Sequence, residues 1–258
     1  VHMAAETHVD NSIKNPQLFL DNNINSTFNL LEYSRNHLPN LKNFFYFSTD
    51  EVFGPSDEIS KFKEWDRYNS KNPYSASKAA GEELTIAYNN TYSIPSLISH
   101  CCNVYGIRQN SEKFIPNTIK KILNREEIIV HADANDEPGS RYYLYNDDLS
   151  KSIIYLIENY QTVKNTAYTE QKKSPPKVNI SGESLISNLE IVQLIGGFLN
   201  KEFNYILKNN DPERPGHDLK YGLDLSLIKK VGGHYDTDFQ VGLKKTVDWF
   251  TNNQYWLK

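Results

Sequence analysis

Two short stretches hold residues whose types and spacing suit proton transfer at an oxygen-bearing carbon. Tyr74 and Lys78 stand four apart in Pro73-Tyr74-Ser75-Ala76-Ser77-Lys78, at the start of a helical pattern. Residues i and i+4 share a helix face. A cation beside a phenol favours the phenolate and lowers its pKa. Such a tyrosine can take a proton from a sugar hydroxyl while hydride leaves the carbon. The tetrad alone recurs by chance. Upstream, the apolar run Phe44-Phe45-Tyr46-Phe47 feeds into Ser48-Thr49-Asp50-Glu51-Val52-Phe53-Gly54. A run of this kind reads as a buried strand whose carboxyl end opens onto a site, the end at which open α/β sheets bind ligands. Two adjacent carboxylates held in different protonation states can give and take a proton in turn. By themselves Asp50 and Glu51 could equally begin a solvated loop. The hydroxyl–acid–acid corner followed by the tyrosine–lysine pair is the more specific signal.

The elements that must place these groups alternate between strand and helix patterns, which predicts an α/β fold. Pro16 to His37 reads as one long helix, with Leu18, Phe19, Ile24, Phe28, Leu30 and Leu31 at roughly helical spacing. Lys42–Ser48 and Pro95–Cys102 read as strands around a helix from Tyr74 to Asn90. Further on, Ile128–His131, Lys177–Ser181 and Glu202–Leu207 read as strands and Asp147–Tyr160 as an amphipathic helix. Thr166–Pro176, polar and lysine-rich, reads as a surface insertion. Ser187-Asn188-Leu189-Glu190 and Thr237-Asp238-Phe239-Gln240 carry capping-box spacing and open the last two long helices.

Composition narrows the classes. The chain has 258 residues, 38% hydrophobic and 23% charged, as ordinary globular chains have. A net charge of −4 offers no basic footprint for nucleic acid, and no apolar run is long enough to span a bilayer. Cys101 and Cys102 are adjacent in a strand pattern with side chains on opposite faces, so a mutual disulfide is not expected and a cytoplasmic setting fits. No Cys/His cluster has metal-ligand spacing, so no metal site is expected. No nucleophile elbow and no internal repeat is present.

Five segments together resemble the extended short-chain dehydrogenase/reductases and, within them, the nucleotide-sugar 4,6-dehydratases. They are His2-Met3-Ala4-Ala5-Glu6-Thr7-His8-Val9-Asp10, Ser48–Gly54, Pro73–Lys78, Asn103-Val104-Tyr105-Gly106 and Glu213-Arg214-Pro215-Gly216-His217-Asp218. The resemblance implies an α/β fold: a Rossmann-like doubly wound parallel sheet with a smaller α/β substrate-binding lobe. It places the NAD-binding part at 1–107, with 142–165 returning to it, and the nucleotide-sugar lobe mainly at 108–258. It implies an NAD-dependent enzyme with Thr49, Asp50, Glu51, Tyr74 and Lys78 as catalytic residues. NAD would lie against Met3, Ala4, Ala5, Glu6, Thr7, Asn22, Tyr74, Lys78 and Val104. The sugar nucleotide would meet Thr7, Thr49, Asn103, Lys113, Phe114, Arg141, Asn179, Glu213, Arg214 and His217. dTDP-glucose is the favoured substrate and UDP-glucose the alternative. Relatives build a homodimer from the helices at 16–37 and 74–90, so a homodimer is implied here.

Departures from the family pattern are also legible. Asn22 stands where relatives often carry threonine, Phe53 where tyrosine is usual, and Val104 where a second asparagine would bond the cofactor. No glycine-rich phosphate loop is present in the 258 residues. By the resemblance, Val1 falls inside the fourth strand of the nucleotide-binding sheet, and poor cofactor affinity is expected of this polypeptide. Two rivals stand beside the dehydratase. A sibling epimerase or decarboxylase would keep Tyr74 and Lys78 but has no use for paired carboxylates. A non-catalytic nucleotide-sugar-binding remnant is the reading that Val104 and the missing loop favour.

Overall fold

The computed structural model describes residues 1–56, 61–133, 135–209 and 222–258. Its strands are β1 (Phe44–Thr49), β2 (Ser96–Cys101), β3 (Asn103–Tyr105), β4 (Ile128–Ala132), β5 (Ser140–Tyr145), β6 (Lys177–Ile180), β7 (Leu185–Ser187) and β8 (Tyr205–Asn209). Its α-helices are α1 (Val9–Lys14), α2 (Pro16–Phe19), α3 (Ser26–His37), α4 (Pro73–Tyr92), α5 (Phe114–Asn124), α6 (Asn146–Glu158), α7 (Tyr160–Gln171), α8 (Asn188–Leu199), α9 (Ser226–Val231) and α10 (Phe239–Asn252).

The chain divides into two compact units. The first takes Val1–Cys101, Ser152–Ile180 and, of the described residues beyond, 222–234. The second takes Cys102–Lys151, 181–209 and Tyr235–Lys258. The boundary expected at 107 thus falls between Cys101 and Cys102, and the return begins at Ser152 rather than 142 and runs on through β6. The reason is pairing: β6 hydrogen-bonds to β2, whereas β5, expected to return, pairs with β3.

In the first unit the sheet is parallel, in the order β1-β2-β6. The register sets Phe44 opposite Ser96 and Thr49 opposite Cys101. All six residues of β2 are buried, as a central strand covered on both faces requires. The strand in which Val1 was expected to fall is reduced to a single bridge, with His2 donating to Phe45 and accepting from Phe47. Helix α4 begins under a full capping box. Asn72 accepts from the Ser75 N–H, Ser75 bonds back, and Pro73 takes the first helical position. It lies hard against β1 because residue 81 is glycine: a Cβ there would collide with the Tyr46 ring. Leu31, Tyr46, Tyr88, Ile94 and Ile98 fill the core beside it.

Two expectations fail in this unit. The helix expected over 16–37 exists, but Leu20–Asn25 between α2 and α3 is π-helical. The polar stretch 166–176 is no surface insertion through its first half. Residues up to Gln171 belong to α7, whose Tyr160, Val163 and Ala167 are buried and which packs on α9. Those three buried residues, spaced among mostly polar ones, make too sparse a stripe to read from sequence.

The second unit has a sheet β3-β5-β7 and a parallel pair β4-β8. Helices α5, α8 and α10 pack around a core of Ile115, Ile119, Ile191, Ile195, Leu243, Val247 and Phe250. Ser187 caps α8 as expected, accepting from the Leu189 N–H. The cap of α10 is Asp238, which accepts from the Val241 N–H, rather than the expected Thr237. Thr237 instead gives its own N–H to Asp148. Cys101 and Cys102 are free. No described helix is long and apolar enough to cross a membrane.

Candidate active site

The polar corner at the end of β1 is a 3-10 turn, Asp50–Phe53, capped by Thr49. The Thr49 hydroxyl accepts the Glu51 N–H at 3.3 Å and donates to the Asp50 carboxylate at 3.2 Å. Gly54 closes the turn at φ 77°, the left-handed region that suits glycine. Asp50 is buried at 5% exposure, so it sits in a medium that strengthens any charge it meets.

Tyr74 opens α4 beside this turn. Asn72, the residue that caps the helix, also donates to Glu51 at 3.3 Å. One amide therefore sets both the start of the tyrosine helix and the orientation of a carboxylate. Burial pushes the Tyr74 phenol well above its ordinary range. The charges of Glu51 and Asp50 add to that, and a hydrogen bond with Thr49 opposes it. Thr49, Asp50, Glu51 and Tyr74 thus form one electrostatically coupled group.

The expected acidification of Tyr74 by Lys78 is reversed in this structure. The Lys78 ammonium lies over the Tyr46 ring, 4.5 Å from its centroid, and burial with the charges of Glu51 and Asp50 dominates at Tyr74. Lys78 is itself 4% exposed. Burial lowers its pKa to about 8, against a pull upward from Glu82. Among the described residues it donates no hydrogen bond and makes no ion pair. A buried group with three donors and no acceptor fits a polyhydroxylated ligand such as a nucleotide ribose.

The segment from Met3 to Thr7 runs beside this helix, with Met3, Ala4 and Thr7 exposed. What holds it there is Asn23, a residue that sequence reasoning passed over in favour of its neighbour. Asn23 is 2% exposed. Its amide accepts from the Glu6 N–H at 2.8 Å, donates to the Glu6 carbonyl at 3.1 Å and donates to Ser77 on α4 at 2.8 Å. Asn22 reaches only the Glu6 side chain, at 3.3 Å. Both sit on the π-helical turn, a distortion found often at functional sites. Behind them His2 bonds Thr27 at 2.9 Å, and burial lowers its pKa to about 4.

Asn179, expected to contact the ligand, turns its side chain inward. It is fully buried, with its amide committed internally: His100 at 2.9 Å, the Phe62 carbonyl at 2.9 Å and the Asp224 carbonyl at 3.1 Å. Both of its N–H bonds are thereby used.

The expected substrate ligands of the second unit are described within that unit. Asn103 opens β3 opposite Tyr143. The Val104 carbonyl is taken by Gln109 at 2.8 Å. Lys113 is the N-cap residue of α5, and Phe114 packs on the core. Arg141 is 7% exposed and donates to the Ser140 carbonyl at 2.9 Å. Glu213, Arg214 and His217 lie outside the described residues.

A parallel sheet ending in this corner, with a tyrosine–lysine helix over it, defines the class. The chain belongs to the NAD dependent epimerase/dehydratase family, whose profile matches residues 1–169. Its sequence is similar to dTDP-glucose 4,6-dehydratases. It is 33% identical to dTDP-glucose 4,6-dehydratase 1 of Escherichia coli K12 over 279 residues, covering all of this chain and 73% of that protein. It is 32% identical to a probable dTDP-glucose 4,6-dehydratase of Sinorhizobium fredii, covering 99% of this chain and 73% of that one. Among solved structures it matches the dTDP-glucose 4,6-dehydratase DesIV of Streptomyces venezuelae, solved with NAD bound. The TM-score is 0.85 at 27% identity, over the whole of this chain and 74% of that one. A UDP-glucuronic acid 4-epimerase of Bacillus cereus shares the fold, with TM-score 0.83 at 23% identity.

Proposed function

We propose that this chain carries the reaction corner of a nucleotide-sugar 4,6-dehydratase, converting a nucleoside-diphosphate glucose to its 4-keto-6-deoxy sugar with loss of water. dTDP-glucose is the favoured substrate and UDP-glucose the alternative. The observation that carries the reading is the coupling of Tyr74 to two carboxylates and a hydroxyl on one turn. Exchange at C4 alone needs only the phenol. Removing water across C5 and C6 needs a base for the C5 hydrogen and an acid for the 6-hydroxyl, and the turn supplies both.

Tyr74 takes the 4-hydroxyl proton, and Thr49 steadies the 4-oxygen by hydrogen bonding. Glu51, oriented by Asn72, removes the C5 proton, which a ketone at C4 makes acidic. Asp50, buried at the same turn, delivers a proton to the departing 6-hydroxyl. Lys78, with Met3 to Thr7 and Asn22, would hold NAD, which when bound supplies the acceptor and later the donor of the hydride. Arg141, Asn103, Lys113 and Phe114, with Glu213, Arg214 and His217, are proposed for the sugar nucleotide. Exposed Leu30, Tyr33 and Tyr92 on α3 and α4 support a homodimer, and two free cysteines suit the cytoplasm.

The test is the double variant Asp50→Asn with Glu51→Gln, assayed with added NAD and dTDP-glucose. Loss of the 4-keto-6-deoxy product with hydride exchange at C4 retained is the expected result. Full dehydration by that variant removes the assignment. Binding of the sugar nucleotide by the parent chain without measurable NAD binding would favour the remnant instead.

A further inference from the structure

Two turns along α4 from Tyr74 lies Glu82, fully buried. Its carboxylate is approached from every strand of the first unit's sheet. Ser48 on β1 donates to one oxygen. His100 on β2 meets the other at 3.0 Å, and Lys177 on β6 pairs with that same oxygen at 3.3 Å. Tyr68 donates to it as well and is bonded in turn by Lys177. The cluster also braces the acid-bearing turn. Phe53, which ends that turn, packs edge-on against His100 at 4.7 Å and stacks on Phe62 at 5.2 Å.

Tyr74, Lys78 and Glu82 are spaced i, i+4, i+8 and so share one face of α4. The groups facing Lys78 are few: Tyr46 from β1, His2 from the bridging segment, and Glu82 from its own helix. Of these only Glu82 is an anion. We propose that Glu82 is a positioning residue for the Tyr74–Lys78 pair, clamping α4 to all three strands and supplying the buried negative charge that the Lys78 ammonium faces. Its reach to catalysis rests on the dehydratase reading; its action on Lys78 does not. Without that charge the Lys78 ammonium keeps only the Tyr46 ring, and its protonated form is less favoured.

The experiment reads Lys78 directly, with neither NAD nor sugar present. Lysine ε-carbons are followed by 13C NMR across pH, the Lys78 signal being assigned by its loss in Lys78→Met. Removal of the carboxylate charge in Glu82→Gln is expected to lower the Lys78 midpoint by about one pH unit, and Glu82→Asp to restore most of it. Lys177→Met breaks the same cluster but leaves the anion in place, so it should hold or raise the midpoint. An unchanged midpoint in folded Glu82→Gln, or an equal fall in Lys177→Met, overturns the proposal. If Glu82→Gln does not fold, Lys177→Met decides alone, since a merely structural cluster predicts a fall there too. Dehydratase assays are run separately, so their failure leaves this result standing.

Discussion

Helix α4 serves two buried groups of ionisable side chains, one at its amino end and one two turns later, and they are built in opposite ways. Around Glu82 every charge has a partner. The carboxylate collects Ser48, Tyr68, His100 and Lys177, and its pKa falls to about 2 although burial alone would raise it. Around Tyr74 and Lys78 the charges are left short. The phenol is pressed upward by burial and two acids, and the ammonium, over the Tyr46 ring and within reach of the Glu82 charge, makes no ion pair of its own among the described residues. A fully satisfied cluster specifies structure. An under-satisfied one stores the capacity to bind and to move protons, at a cost in stability.

Breaking each side in turn should give opposite signatures. The largest effect is on rate: Tyr74→Phe should lower turnover about 10²–10⁴-fold with little change in the urea midpoint. In the satisfied cluster, Glu82→Ala should cost about 3–5 kcal/mol of stability, read from denaturation curves, because Lys177 loses its counter-charge and Ser48, Tyr68 and His100 lose the oxygens they bond. Stability in the parent should also fall with acid. Glu82's folded pKa lies below its usual 4.5, so its contribution is full above that value and is lost as pH drops toward about 2. Glu82→Ala should flatten this slope.

Lys78→Met tests the contrast in the other direction. It should remove activity yet stabilise the fold by about 1–3 kcal/mol at pH 7. The sign follows from linkage. A lysine whose folded pKa is about 8 instead of 10.5 leaves the unfolded chain binding more protons between those values. Parent stability therefore rises through that window, and the variant should show no such rise. Smallest is Asn72→Ala, which should cost about 1 kcal/mol as a lost cap. It should also reduce turnover more than KM suffers, because Glu51 loses its orienting amide.

Much of the arrangement of the candidate corner was legible in the sequence. Thr49, Asp50 and Glu51 follow one another in the chain, and Tyr74 and Lys78 are one helical turn apart, so their kinship is local. The strand–helix alternation and the capping of α4 are likewise properties of short windows. Asn23 was not legible. Its role depends on a π-turn that rotates it against Glu6 and Ser77, and an asparagine in a helix otherwise reads as solvated. Asn179 shows the converse: the resemblance marks it for a ligand, and the fold bonds its amide to His100, Phe62 and Asp224.

The order of residues settles which groups are neighbours along a strand end or a helix face, because those distances follow from backbone geometry alone. Protonation and pairing across the sheet are another matter. Ser48, Tyr68, Glu82, His100 and Lys177 come from five separate places in the chain, and each reads as unremarkable where it stands. Packing alone brings them around one carboxylate and strips the water from Lys78 and Tyr74. The ionisation of a buried group is set by what surrounds it in space, and that is why the acidic phenol expected from spacing became a reluctant one in the folded chain.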